Sequence, residues 1–201
     1  MRIIAGKFKG RSLFSPKGTK ITRPTTDRVK ETLFSILFSK DFFTGNCQNP
    51  VALDLFCGSG ALGIEALSRG ASEAVFVDSS RSSVALCKKN LGVIDTKAKV
   101  FCSDFSKALK AIATSENSKK FDIIFLDPPY KEGLESKAIA KIIELELLNE
   151  GGIIVVEHDV KNALETIVAN INNFNEYFDV DSRIIGETVL SFLTIFNKEQ
   201  N

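Results

Sequence analysis

The chain has 201 residues, enough for one domain with a sizeable core. With 44% apolar and 25% charged residues it has the balance of a globular, water-soluble protein. No run of about 18 apolar residues occurs, so no membrane-spanning helix is expected. The segment Met1-Arg2-Ile3-Ile4-Ala5-Gly6-Lys7 lacks the apolar core of a secretion signal, which predicts a cytoplasmic protein. Cys47, Cys57, Cys87 and Cys102 contain no C-x-x-C pair, so zinc and disulfide frameworks are not expected and the thiols read as reduced.

The net charge of +1 conceals an asymmetry. Residues 1–40 hold ten basic and two acidic residues (+8), and residues 41–201 hold 16 basic and 23 acidic ones (−7). The basic residues are interleaved with Phe8, Leu13 and Phe14 rather than massed in a low-complexity block. A basic arm on an acidic body points to a polyanionic partner, a nucleic acid.

In chain order, residues 2–14 alternate loosely around Gly6 and Gly10 and predict a short hairpin, and Ser15-Pro16-Lys17-Gly18 a turn. A helix follows, capped by a threonine of Pro24-Thr25-Thr26-Asp27, with Asp27 at the positive end of its dipole. Val29, Leu33, Ile36 and Leu37 form its apolar face, and Arg28 and Lys30 are expected to point away from it. Residues 39–50 read as a linker. From Val51 onward strand signals at 51–56, 73–78, 98–102, 121–127 and 152–158 alternate with helix signals at 59–69, 80–91, 104–114 and 134–147. That series predicts an α/β fold with a parallel sheet covered on both faces. A helix at 160–170 and two strands at 176–185 and 188–196, around Gly186-Glu187, close the chain as a hairpin. The division expected is a basic extension over 1–46, packed on the same domain, and a main body over 47–201.

Two loops carry the chemistry. Asp54-Leu55-Phe56-Cys57-Gly58-Ser59-Gly60-Ala61-Leu62-Gly63 is strand, tight loop and helix with G-x-G-x-x-G spacing, and Asp78 ends the next strand 20 residues beyond Gly58. Spacing alone matches a dinucleotide site, with Asp78 accepting from ribose hydroxyls. Asp54 opposes that reading. A diphosphate 4 Å from it would be repelled by about 4 kcal/mol at an effective dielectric near 20. A ligand bearing an ammonium and a sulfonium, such as S-adenosylmethionine, would instead be attracted. Asp104 can accept from an adenine amino group with Phe105 beside the ring, or serve only as a helix N-cap. The second loop, Asp127-Pro128-Pro129-Tyr130, follows the apolar run 121–126. The prolines cannot extend a central ladder and stiffen the exit from the sheet. A carboxylate, free carbonyls and a flat ring can grip a planar base by its amino group.

These residues resemble a known family. Asp54 to Gly60 is similar to the first motif of class I S-adenosylmethionine-dependent methyltransferases, and Asp127-Pro128-Pro129-Tyr130 to their (Asn/Asp)-Pro-Pro-(Tyr/Phe) motif. Arg2-Ile3-Ile4-Ala5-Gly6 with Gly10-Arg11, and Arg23-Pro24-Thr25-Thr26-Asp27-Arg28-Val29-Lys30-Glu31-Thr32-Leu33-Phe34, resemble the RsmD family of bacterial 16S rRNA guanine-N2 methyltransferases over residues 2 to about 158. The resemblance implies a Rossmann-like, seven-stranded, mostly parallel sheet with an antiparallel C-terminal hairpin. It implies S-adenosylmethionine held by Asp54, Phe56, Gly58, Gly60, Asp78 and Ser79, with Asp104 and Phe105 placed by position. A guanine would sit at Asp127, Pro128, Pro129 and Tyr130. Arg11, Lys17, Arg23 and Arg28 are expected on the RNA, and for Thr25, Thr26 and Arg28 contact with cofactor or with RNA is left open. The partner is 16S rRNA, free or in a partly assembled 30S subunit, and a monomer is expected. Lone His158 receives no catalytic role. The alternatives are an N-methyltransferase for adenine N6 or protein glutamine, a nicotinamide or flavin oxidoreductase, and an RNA-binding module without catalysis.

Overall fold

In the computed structural model, the structure describes residues 1–16, 27–44, 47–116, 118–129, 133–172 and 174–195. Seven strands form one sheet: β1 (Val51–Leu55), β2 (Glu73–Asp78), β3 (Lys99–Cys102), β4 (Phe121–Leu126), β5 (Leu148–Asp159), β6 (Phe178–Ile185) and β7 (Thr188–Ile195). Their order is β3-β2-β1-β4-β5-β7-β6. The first five pair in parallel, and β7 is antiparallel to both β5 and β6. The strand order reverses between β1 and β4, so the chain leaves these two neighbours toward opposite edges. In sheets of this topology the ligand crevice lies there, beyond the carboxyl ends of the two strands.

Period-two alternation divides the strands between two cores. Ala52, Phe76, Ile123, Phe125, Ile153 and Val155 face one, and Leu53, Leu55, Val77, Ile124, Leu126 and Val156 face the other. The first face is covered by α1 (Asp27–Ser39), α2 (Ala61–Arg69) and α3 (Arg81–Val93), and the second by α4 (Phe105–Ala113) and α5 (Leu134–Glu144). Short α6 (Leu164–Val168) and α7 (Phe174–Tyr177) precede the hairpin. The long helix expected over 160–170 is thus limited to five residues, and α7 occupies the start of the strand expected from 176. β5 begins at Leu148, inside Leu148-Asn149-Glu150-Gly151-Gly152, with a register shift opposite Phe121 and Ile123. The bend at Gly151 (φ 68°) let the strand start earlier than its apolar run suggested.

The N-terminal arm differs most from expectation. The hairpin over 2–14 is reduced to one bridge between Arg2 and Ser12, with turns between. Ile3 N–H still donates to Arg11 O, Gly10 N–H to Ile3 O and Leu13 N–H to Met1 O, but four amides between Ile3 and Gly10 bond to the body instead of across the hairpin. Ile4 and Ala5 N–H donate to the two oxygens of Glu65, at 2.8 and 3.0 Å. Lys7 N–H donates to Ser68 O, and Phe8 N–H to Ser68 Oγ. At Gly6 a Cβ would lie 1.8 Å from Ser68 O, so only glycine lets the arm come this close to the end of α2. Ile3 and Leu13 are buried in the same core as Val29, Leu33, Phe34 and Leu37. The junction expected at 46–47 lies in part outside the described residues.

Lys30 corrects the reading of α1. It does not point outward: it is fully buried, its Nζ donates to Arg2 O at 2.7 Å, and Asp27 Oδ1 lies 3.7 Å away. Burial pulls its ammonium below the ordinary lysine value, an effect opposed by Glu65 and Asp27. Arg28, by contrast, is exposed. Glu65, 1% exposed, is the other fixed charge under the arm, and it also takes Arg69 Nε at 2.9 Å. Glu65→Ala would leave two amides and Arg69 Nε without their acceptor and would remove a charge that favours the buried Lys30 ammonium. A loss of about 2–4 kcal/mol is expected in urea denaturation, with the arm's amides exchanging fastest by hydrogen exchange.

Candidate active site at the sheet switch point

The glycine loop is built from its hydrogen bonds upward. Phe56 and Cys57 N–H both donate to Val77 O at 2.9 Å, which turns the chain sharply out of β1. Phe56 takes φ 73°, left-handed backbone that costs a residue with a side chain on the order of 1 kcal/mol and persists only where the surroundings hold it. Gly60 N–H then donates to Cys57 O at 2.7 Å, and α2 starts. Its first turn is pinned from beneath by Asp54, whose Oδ2 accepts from Gly63 N–H at 2.9 Å. Gly63 is required here, because a Cβ would stand 2.4 Å from the Phe76 ring. The third glycine of the pattern therefore serves close packing of helix on strand.

Asp78, at the end of β2, holds the loop from the other side. Its Oδ2 accepts from Gly58 N–H at 2.9 Å and its Oδ1 from Ser80 N–H at 2.7 Å. Each oxygen keeps a second lone pair for a ribose hydroxyl. Ser79 beside it is exposed. Phe56 and Phe105 face each other with ring centroids 5.6 Å apart and planes at 49°, forming an aromatic wall beside the loop. Asp104 is the N-cap of α4: its Oδ1 accepts from Ser106 and Lys107 N–H.

Register brings the second loop to the first. Leu55 pairs with Leu126, so Phe56 and Asp127 leave adjacent strands side by side. Asp127 is half-buried, Pro128 buried and Pro129 exposed; Tyr130 lies outside the described residues, as do Lys17, Arg23, Thr25 and Thr26. Asp54 is 3% exposed. Burial first, and then the charges of Asp127 and Asp78, push its carboxyl up to about 8, against the opposing pull of the Gly63 hydrogen bond. Asp54, Asp78 and Asp127 thus converge on one crevice, an arrangement that repels anions and gains from a cation. An adenosyl ligand carrying positive charge fits this set: carboxylates for ammonium, sulfonium and ribose, aromatic rings for the base.

Arg11 stands apart from this crevice on the arm, its NH1 donating to Val93 O at 2.7 Å and its guanidinium 5.1 Å from the Phe8 ring. His158 is buried in β5, with Nε2 2.9 Å from Ser191 Oγ, which in turn meets Ser182 Oγ at 2.9 Å. A further cleft of about 120 Å³, lined by Val51, Glu73, Val75, Lys99, Phe101 and Ile112 among others, opens at the amino ends of the strands, away from the two loops.

Glu65 and Asn90 escaped the sequence reading. Glu65 offered a small signal, a carboxylate between Ile64 and Ala66 inside the apolar run that opens α2. Asn90 offered none.

A family model described as "Conserved hypothetical protein 95" matches residues 1–194. The chain is 44% identical over 173 residues to "Putative rRNA methyltransferase YlbH" of Bacillus subtilis (strain 168), covering 85% of this chain and 89% of that protein. It is 38% identical over 171 residues to "Ribosomal RNA small subunit methyltransferase D" of Escherichia coli (strain K12), covering 85% and 80%. Among solved structures, "Putative methyltransferase yhhF from Escherichia coli" superposes with a TM-score of 0.76 at 32% identity over 97% of each chain. The expected Rossmann-like sheet with its antiparallel C-terminal hairpin is the architecture found. The chain belongs to the conserved hypothetical protein 95 family, the RsmD family of S-adenosylmethionine-dependent methyltransferases.

Proposed function

We propose that this protein transfers a methyl group from S-adenosylmethionine to the exocyclic N2 of one guanine in bacterial small-subunit rRNA. The observation that carries the reading is the convergence of Asp54, Asp78 and Asp127 on the switch-point crevice. The names of the relatives support rRNA as the substrate class. Asp54, Gly58 and Gly60 would hold the methionyl end of the cofactor, Asp78 with Ser79 the ribose, and Phe56, Phe105 and Asp104 the adenine. When bound, the cofactor supplies a methyl group made electrophilic by its sulfonium.

The target amine is a weak nucleophile, because its lone pair is delocalised into the ring. Asp127 and the Pro128 carbonyl would each accept one of its N–H bonds, which fixes the amine and turns its lone pair toward the donor. Two prolines make this grip rigid, so little ordering is left to the moment of reaction. Tyr130 would stack on the extruded base, a contact worth about 1–3 kcal/mol. Unstacking the base costs a few kcal/mol, within reach of these contacts. No strong base is required before attack, since the proton can leave the methylated amine afterwards.

The basic arm, with Arg11, Lys17, Arg23 and Arg28, would contact phosphates of the rRNA or of a partly assembled 30S subunit. Arg11 already donates one N–H to Val93 O and presents the rest of its guanidinium outward. Among the described residues no helix is long and apolar enough to cross a membrane. We propose action beside ribosomes in the cytoplasm, as a monomer. The test is a comparison of small-subunit rRNA from cells with and without this gene, by mass spectrometry of nuclease fragments. One N2-methylguanosine should disappear and return when the purified enzyme and S-adenosylmethionine are added; an unchanged guanine pattern overturns the proposal.

A further inference from the structure

We propose that Asn90 is a positioning residue that couples the glycine loop to the basic arm, so that cofactor and RNA bind cooperatively. The inference rests on the functional reading of both surfaces given above. Asn90 is 0% exposed, on α3, and its amide joins two segments distant in sequence. One Nδ2 hydrogen is donated to Ser59 O at 2.9 Å, in the middle of the glycine loop, and the other to Phe14 O at 3.1 Å. Its Oδ1 accepts from Phe14 N–H at 2.8 Å. The amide's orientation is forced, because the reverse one would set an oxygen against two carbonyls. Every polar atom of the side chain is used, and both connections end on main chain, so they report backbone position rather than side-chain identity.

The surroundings reinforce the link. Lys89 Nζ lies 3.5 Å from the centre of the Phe14 ring, so consecutive residues of α3 hold Phe14 by its backbone and its side chain. Phe14 is 45% exposed. On the same helix, Cys87 Sγ backs Gly60, at 2.7 Å from where a Cβ would stand. Ser59 Oγ also reaches Met1 Sδ at 3.8 Å, a second contact from loop to arm. Whatever fixes the loop therefore fixes Phe14, and whatever fixes Phe14 fixes the loop. By linkage, the two ligands must then raise each other's affinity by the same factor.

The test measures binding of S-adenosylhomocysteine by calorimetry, alone and with saturating unmethylated small ribosomal subunits, for the full chain and for Asn90→Ala. In the unmodified protein the subunits should tighten binding at least about fivefold. In Asn90→Ala the ratio should fall to near one. A merely structural loss would weaken each binding event and leave the ratio intact, and that result overturns the proposal. Should Asn90→Ala fail to fold, the unmodified protein still decides: S-adenosylhomocysteine without RNA should slow hydrogen exchange of the Phe14 amide at least about tenfold, and an unchanged Phe14 rate overturns the coupling. If S-adenosylhomocysteine does not bind at all, the reading of the crevice itself fails, and the coupling with it; if it binds and the ratio in the unmodified protein is one, only the coupling fails.

Discussion

Asp127→Ala is expected to abolish methyl transfer almost completely while leaving the cofactor site intact. The turnover number on unmethylated small subunits should fall about 10²–10³-fold, the range for removing one group aimed at the reacting centre. The affinity for S-adenosylhomocysteine should not weaken. Removing Asp127 takes away one of the two charges that raise the Asp54 carboxyl, so Asp54 ionises more readily and an ammonium gains. The backbone should tolerate the change, because Pro128 and Pro129 stiffen the exit of the chain from β4. Asp127→Asn keeps one acceptor oxygen and should retain more turnover than the alanine variant. Single-turnover rates with calorimetric binding separate the two effects. Wild-type turnover in Asp127→Ala would remove Asp127 from the mechanism.

The parts of this protein that were legible in its sequence are those set by short-range pattern. Strand and helix periods gave seven strands in the right chemical order, and the alternation of β4 and β5 between two buried faces follows from continuous apolar runs. The three carboxylates could be placed because each sits at or just past the carboxyl end of a strand, and parallel strands end at the same edge. Their mutual repulsion could not be read, since it depends on the order β2-β1-β4, which no local signal encodes. The arm was misjudged for a similar reason. Its amides find acceptors 60 and 61 residues away, in Glu65, and Asn90 finds Phe14 at a separation of 76. Lys30 looked like a surface lysine because its position lies beside the apolar face rather than on it; the carbonyl of Arg2, brought over α1 by the arm, together with Asp27 and Glu65 makes its burial tolerable. Buried polar groups of this kind are specified by distant partners, so composition and period carry little trace of them.

Asp54 yields the second large effect, and it is one of pH. An ordinary aspartate titrates near 4, and in the folded protein burial and neighbouring carboxylates push Asp54 up to about 8. Between those values the native state holds a proton that the unfolded chain has released. The contribution of the neutral carboxyl is therefore fully present below about pH 4 and is lost as pH rises through 8. Asp54→Asn, which keeps an oxygen for Gly63 N–H, should be more stable than the parent by about 2–4 kcal/mol at pH 9 and no more stable at pH 4, in parallel urea titrations. The same proton must leave when a cation settles beside Asp54, since a cation favours the ionised form. S-adenosylhomocysteine, through its ammonium, should thus bind more tightly as pH rises from 6 to 8. At pH 7 its binding enthalpy should depend on the buffer, with up to one proton released per site. In Asp54→Asn the proton release should vanish and the affinity fall. Binding that is tight, buffer-independent and flat in pH would place the ligand's positive charge away from Asp54, and would assign that carboxylate to the loop's architecture alone.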